Sequence, residues 1–442
     1  MKRFILEQSG SEFYTSHSGL ALVGACINRY SELGRRVGRK VSGSDHIAEI
    51  DILRSYLGLL CMGKSDFQAI TGMRQDTSFR QSLGIDRIPS AERMRQRLDE
   101  AGSDLIPIID KASRTMLKRL GVAISGYTLK KLVPLDIDVF PQDNSNTSKE
   151  GVSWTYKHFD GYAPIAAYLG LEGWCLEVEL RPGSQHGQDG FVPFLERVLA
   201  SARELTQDAI VVRLDAAHDA VETLAVLAAA KDVHSIVKWN PRRSDILAYH
   251  ERVFAEGEVS SPRVGKRVGL LVVEEKKKVG QESRSFKRIV RVTERTMDAS
   301  GQVLLVPQIT LEGWWTDLKL PCEEVIGLYR EHATSEQFHS EFKTDLDLER
   351  LPSGKFATNA LIMALGGFAY NILRAIGQMG LLGRHAPIRH PAKRRRIKTV
   401  IQELIYLAAR LIDTGRRLRL RFSRHCPAFE AYRSVYDRLL PA

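Results

Sequence analysis

Ile326 to Lys343, IGLYREHATSEQFHSEFK, sets its polar residues at offsets that suit one face of a helix. Tyr329 is followed by His332, Glu336 and Lys343 at three, seven and fourteen positions. At about 100° per residue, the four fall in a stripe about 60° wide and about 21 Å long. Phe338 and Phe342 point the other way, toward a core. The plain alternative is a surface helix whose carboxylate and amine are merely solvated.

The spacing Tyr-x2-Arg-x3-Glu-x6-Lys is the signature of the cut-and-paste DDE transposases of bacterial insertion sequences, and this segment resembles it, with His332 where that family has Arg. Glu336-Gln337-Phe338-His339 and Phe342-Lys343-Thr344 add to the resemblance. It implies an α/β fold with a ribonuclease-H-like catalytic core, in which Glu336 is the third metal-binding carboxylate. Two aspartates are then required upstream, each at the end of a β-strand.

The 442 residues suffice for two or three domains, and 43% apolar with 26% charged residues describes an ordinary globular chain. Five cysteines, far apart and with no C-x-x-C pair, argue for a reducing, cytoplasmic setting and against a disulfide frame or zinc site. MKRFILEQSG turns polar after three apolar residues, too few for a signal-peptide core. The apolar run Ala360 to Leu373 is short for a membrane span and carries Asn371, so it reads as a buried helix. The net charge of +11 is concentrated: Arg384 to Arg424 holds thirteen Lys/Arg against Glu403 and Asp413, leaving 51 basic and 51 acidic residues elsewhere. Such a local excess is the electrostatic footprint of nucleic-acid binding, with a solvated basic face as the alternative.

Residues 1–126 read as helical, from apolar spacings through Leu20 to Tyr30, Ile50 to Leu60 and Leu105 to Met116. Ser90 is an N-cap candidate for a helix carrying Arg93, Arg95 and Arg97. A DNA-groove helix is one reading of it, and a solvated face for Arg93 and Arg97 the other. From Leu132 the period becomes two: Val133, Leu135, Ile137 and Val139 face one way, Asp136 and Asp138 the other. Carboxylates beside a buried sheet are costly unless paired, and metal binding would account for them. Strands over Ala163 to Leu169 and Trp174 to Leu180 follow, then a helix with Phe191, Phe194, Leu195, Val198 and Ala202 on one face. Ile210 to Leu214 is a strand ending at Asp215, where an acid faces the ligand crevice of an α/β sheet. An N-cap role fits Asp219 better than Asp215. A helix to about Ala230 and a strand over Ser235 to Trp239 complete the core.

Residues 241–320 read as strands over Val268 to Val273, Phe286 to Val292 and Val303 to Ile309, separated by charged runs such as Glu274 to Lys278. Trp314 and Trp315 are expected to pack. In the basic segment, Lys393 to Arg396 precede an amphipathic helix carrying Val400, Ile401, Leu404, Leu407, Ala408 and Leu411. Arg417 to Phe422 alternates as a strand with an arginine face.

Phosphodiester transfer by two divalent ions needs a few rigidly held acids. The resemblance assigns that role to Asp138, Asp215 and Glu336, with Mg2+ as the ion and Mn2+ as a substitute. Asp136 and Asp138 share a strand face; Asp138 is preferred because the family motif places its acid at the strand's end. The signature assigns phosphate contacts to Tyr329, Lys343 and, with a weaker or pH-dependent hold, His332. Arg394, Arg395, Arg396, Arg417, Arg419 and Arg421 are the DNA-binding candidates of the basic tail. The resulting expectation is a helical N-terminal domain over 1–126, a ribonuclease-H-like core over 127–240, a β-rich insertion over 241–320, final core helices over 321–383 and a basic region over 384–442. Its expected activity is cutting at the terminal inverted repeats of an insertion sequence and joining the ends to target DNA, as a cytoplasmic homodimer on double-stranded DNA with no membrane association. The rivals are a transposase-derived DNA-binding protein without cleavage and a metal nuclease of the same fold.

Overall fold

The computed structural model describes residues 4–38, 47–127, 131–298, 300–415 and 417–440. Arg416, counted in the basic segment, lies outside the described residues, as do residues 39–46 of the helical N-terminal region and 128–130 of the expected core.

After the short strand β1 (Phe13–Thr15), the N-terminal region is helical, with α1 (Leu20–Ala25), α2 (Glu49–Cys61), α3 (Ala91–Ala101) and α4 (Ile106–Leu120). Ser90 caps α3, its Oγ accepting from the Arg93 amide at 3.2 Å. Arg97 departs from the solvated face expected for it: it is buried, and its guanidinium donates to the Ile47 carbonyl at 3.1 Å.

The sheet follows, in strands β2 (Leu132–Val139), β3 (Ile165–Leu169), β4 (Trp174–Glu179), β5 (Ala209–Leu214) and β6 (Val233–Lys238). Between them run α5 (Phe191–Leu205) and α6 (Val221–Ala229). The order across the sheet is β4-β3-β2-β5-β6, with β2, β5 and β6 parallel and β3 and β4 antiparallel. Pro134 removes an N–H from β2, and pairing with β3 begins one residue later, at Leu135. Val133, Leu135 and Ile137 join Ile210, Val212 and Leu214 against Phe194 and Val198 of α5 and Leu224 of α6. That apolar set pins the register, so Asp136, Asp138, Arg213 and Asp215 fall to the opposite face.

The expected insertion does not stand apart from this sheet. It opens with α7 (Ile246–Glu256), which the strand-rich reading had no place for, and continues as β7 (Glu258–Arg263), β8 (Lys266–Val279), β9 (Glu282–Met297) and β10 (Val303–Thr316). β10 pairs with β6 through Trp314–Lys238 and Trp315–Val237, so the whole is one nine-stranded sheet. Glu274 to Lys278, read as a separator, lies inside β8 and pairs with β9. Over 274–278 the residues are exposed or half-buried, and a strand with no fully buried face needs no apolar alternation.

Past β10 the chain forms α8 (Cys322–Arg330), a 3-10 turn (Glu331–Thr334), α9 (Ser335–Ser340) and a π turn (Glu341–Asp345). The signature segment is thus helical throughout but changes pitch three times. It leads to α10 (Phe356–Gly380), the one helix among the described residues long and apolar enough to cross a membrane, and 94% of that apolar window is buried. α10 is the axis of a core shared by the N-terminal helices, β3, β4 and the C-terminal helix α11 (Phe429–Leu439). Its Asn371 amide accepts from the Cys175 amide at 3.0 Å and donates to the Cys175 carbonyl at 2.7 Å and Ser113 Oγ at 3.0 Å, joining β4 and α4 to the axis.

The helix expected through Val400 to Leu411 stops early. A short helix (Ile397–Val400) and a π turn (Ile401–Ile405) give way to strand β11 (Ala409–Asp413), flanked by β1 and by β12 (Leu418–Phe422). The Leu407 carbonyl accepts from the Ser18 amide at 3.1 Å and Ser18 Oγ at 2.8 Å. Pairing on both sides of β11 overrides the helical period.

Arg374 of α10 is fully enclosed, donating to the Glu341 carboxylate, to Tyr370 Oη and, at 2.6 Å, to the Arg395 carbonyl. Breaking a buried pair from one side strands the other charge, at a cost of about 3–5 kcal/mol. Arg374→Met is therefore expected to lower unfolding stability in urea by about that amount, and Arg374→Met with Glu341→Gln by less. A single variant as stable as the wild type would show that the pair holds nothing together.

Candidate active site

β2 and β5 run in parallel with Asp136 opposite Arg213 and Ile137 opposite Leu214. One residue on, the same register sets Asp138 beside Asp215, where β5 ends. The two strands thus bring Asp-x-Asp alongside Arg-x-Asp, and the first pair closes as a bidentate ion pair. Arg213 Nε and Nη2 each lie 2.7 Å from an Asp136 oxygen, both residues being at most 3% exposed. Arg213 Nη1 also donates to the Leu328 carbonyl of α8 and to Tyr127 Oη, both at 2.7 Å. Asp136 further holds His332 Nδ1 at 2.8 Å. Burial alone would raise the Asp136 carboxyl, but Arg213 and His332 outweigh it and hold it below the usual range. Burial opposes the charged imidazole of His332 in the same way, and the bond to Asp136 wins, so its pKa is raised. His332 Nε2 is buried without a partner.

Among the described residues, Asp138 and Asp215 have no such neutralising partner. Asp138 Oδ1 accepts only from the Val139 amide, at 2.8 Å. Burial pushes its carboxyl up to about 7, with Asp215 adding to the rise against the pull of His332. Asp215, with 43% of its side chain open, is also raised, by the protein crowded around it. The bases within 4.0 Å among the described residues are His339, near Asp138, and His218, 3.7 Å from Asp215. Burial drops both imidazoles to about 3, so neither brings a positive charge. Capping is the reverse of the expectation. Asp215 Oδ1 accepts from the Ala217 amide at 3.1 Å and caps a 3-10 turn, while Asp219 accepts from Trp315 Nε1 and the Asn240 amide, both at 2.8 Å.

The signature residues are distributed along the opposing helical segment. Tyr329 lies edge-on to Trp314 at 6.1 Å, with Lys238 Nζ 5.8 Å from its ring. Lys343 donates to the Pro141 carbonyl at 2.9 Å and pairs with Glu349 at 3.0 Å. Glu336 is exposed, and among the described residues no three His, Cys, Asp or Glu side chains converge as a metal-holding group. It does share a helix face with His332, His339 and Lys343, four residues before and three and seven after, all of which reach β2 or the loop beyond it.

The six tail arginines divide. Arg394 donates to the Leu171 carbonyl and Gln337 Oε1, Arg395 to the carbonyls of Leu381, Ile388 and His390, and Arg396 clamps Asp345 with both nitrogens. Arg417, Arg419 and Arg421 are exposed, the last two on β12. Arg213 and His339 received no role from the sequence. Arg213 could have been found: it is the lone charge in an apolar strand, two residues before Asp215, matching the two-residue step from Asp136 to Asp138. His339 stacks on Phe140, ring centroids 4.6 Å apart, a placement no local pattern reveals.

No curated protein matches the chain. Among solved structures, the cryo-EM structure of a piggyBac transposase synaptic complex with hairpin DNA is similar at a TM-score of 0.41 and 8% identity, over 90% of this chain and 82% of that one. The family model described as transposase DDE domain group 1 matches residues 3–442, and with a match of that extent the chain belongs to this family of DNA transposases.

Proposed function

We propose that this protein is the cut-and-paste transposase of an insertion sequence, cutting DNA at terminal inverted repeats and joining the ends to target DNA in a ribonuclease-H-like core. The observation that carries the reading is the pair Asp138 and Asp215: two acids at the carboxyl ends of adjacent parallel strands, with no cationic side chain among the described residues bonded to either. The strand order β4-β3-β2-β5-β6 supports the fold assignment. Two unneutralised carboxyls side by side are a donor set that suits hard divalent cations, Mg2+ with Mn2+ as a substitute. When bound, such ions supply Lewis acidity at the attacking and leaving oxygens.

The chain's own residues do the rest. Asp138 and Asp215 would hold the ions from the sheet, with Glu336 as the third carboxylate from the facing helix. Asp136 is a positioning residue: it locks Arg213, and Arg213 holds α8 through the Leu328 carbonyl. Tyr329, Lys343 and the unpartnered Nε2 of His332 face phosphates of the transposon end. A dimer would hold two ends at once, working in the cytoplasm, where free cysteines persist. DNA grip comes from Arg417, Arg419 and Arg421, while Arg394, Arg395 and Arg396 staple the tail to the core.

Asp138→Asn, Asp215→Asn and Glu336→Gln are expected to bind a labelled duplex from the inverted repeats flanking the gene yet fail to nick it in Mg2+. Cleavage by Glu336→Gln at the wild-type rate would sink the mechanism. Asp136→Asn leaves Arg213 without its counter-charge, so its main effect is a loss of about 3–5 kcal/mol of stability. A stable, inactive Asp136→Asn beside an active Asp138→Asn would reverse the two assignments.

Salt dependence separates the arginines. Releasing one phosphate from a basic side chain lowers the slope of log affinity against log salt by about 0.9. Replacing Arg417, Arg419 and Arg421 with Ala is expected to flatten that slope without moving the thermal midpoint. Replacing Arg394, Arg395 and Arg396 should lower the midpoint first. The opposite pattern would show that the grip lies in the other set.

A further inference from the structure

Beyond Lys238 the chain leaves the carboxyl end of β6 and, before α7 begins, borders a cavity of about 500 Å³ whose far wall is the β8-β9 hairpin. Arg288 of β9 forms its back. Only 4% exposed, its guanidinium lies 3.9 Å from the Trp239 ring centroid and 4.6 Å from that of Trp315. One nitrogen donates to Tyr249 Oη at 2.7 Å and stands 3.1 Å from Glu275, while the buried Nε has no partner. Lys277 sits 3.3 Å from the other Glu275 oxygen. At the mouth, Arg242 and Arg243 are exposed and form no ion pair among the described residues. The lining carries four cations against Asp219 and Glu275. Asp219 is already bonded at both oxygens, to Trp315 Nε1 and the Asn240 amide.

An excess of two positive charges calls for an anion. A nucleobase does not suit the cavity despite its aromatic walls: Trp239 and Trp315 are 6% and 1% exposed and the Arg288 guanidinium already lies against them, so no indole face is open for stacking. A phosphate does suit it, because guanidinium forks match its oxygens. Asp219 follows Asp215 by four residues, which puts the cavity at the same end of the parallel strands as the carboxylates. A strand crossing that end would bring a backbone phosphate to it.

We propose that this cavity is a binding site for a single backbone phosphate of substrate DNA, held by Arg242, Arg243 and Lys277 and backed by Arg288, beside the carboxylate site but on the α7 side of the sheet. The proposal rests on the transposase reading for the identity of the ligand, but its test reads binding and needs no cleavage.

The full chain is titrated onto fluorescein-labelled duplex from the flanking inverted repeats, and onto duplexes carrying one neutral methylphosphonate linkage at successive positions. Wild type is expected to lose affinity about tenfold or more at one linkage assigned to the cavity. Arg242→Ala/Arg243→Ala should be indifferent to that linkage, remain sensitive to others, and show a salt slope lower by about 0.9, the share of one phosphate. Arg242→Lys/Arg243→Lys should keep the slope. Both side chains are exposed, so an unchanged thermal midpoint is part of the expected result. The site is overturned if the double Ala variant keeps the wild-type slope and linkage profile. It is also overturned as a DNA site if inorganic phosphate binds wild type but not the variant in calorimetry while the two share one duplex linkage profile, which would mark a free-phosphate site. Amide variants at Asp138 and Asp215 that still nick, with the linkage effect intact, would overturn the assigned chemistry and leave the cavity standing.

Discussion

The ion pair between Asp136 and Arg213 is the constraint on which the rest of the site depends. Removing two charges from water is expensive, and it is tolerated here because both carboxylate oxygens meet guanidinium nitrogens at 2.7 Å and the remaining nitrogen finds a carbonyl and a phenol. A bidentate pair across adjacent strands tolerates no slip in register. It therefore carries Asp138 to the side of Asp215, and through the Leu328 carbonyl it sets where α8 lies. The same Asp136 carboxylate holds His332, three residues before the helix that bears Glu336 begins.

The same pair shows what a linear reading captures and what it misses. The strand over Leu132 to Val139 was legible to the residue, because period-two alternation is a local property and its apolar face is buried. Which of its two acids is free was not legible, since that depends on an arginine 77 residues away. The segment from Ile326 to Lys343 was readable as helix but not in its changes of pitch, which answer to tertiary partners: the π turn presents Glu341 to Arg374 while Phe342 stays in the core. The helix expected to Leu411 failed for a related reason, as its backbone pairs with β1 from the other end of the chain.

Charge content was equally ambiguous until partners were known. Thirteen basic residues in one segment describe a footprint, yet three of the six singled out bond carbonyls, an amide and a carboxylate of their own chain. A guanidinium with five donors is as apt for stapling a tail to a core as for gripping phosphate. Composition cannot separate the two uses. The run from Glu274 to Lys278 makes the complementary point: its charges are compatible with strand structure because no residue there is fully buried.

The three-stranded sheet of β1, β11 and β12 ties Phe13–Thr15 to Ala409–Asp413, and Ser18 bonds the Leu407 carbonyl across the same join. Tyr30 and Tyr432 add bonds between the two ends, to the Leu439 and Ser18 carbonyls. Joining segments of such long sequence separation is slow, because the intervening chain must be ordered before the pairing rewards it. During synthesis, therefore, the first helices emerge without the surface that will cover them and wait until Ala409–Asp413 has left the ribosome. Over that interval their apolar faces are the exposure a chaperone would meet. A protein built in this way is completed late and all at once, and a prematurely terminated copy would lack the strand that closes its N-terminal region.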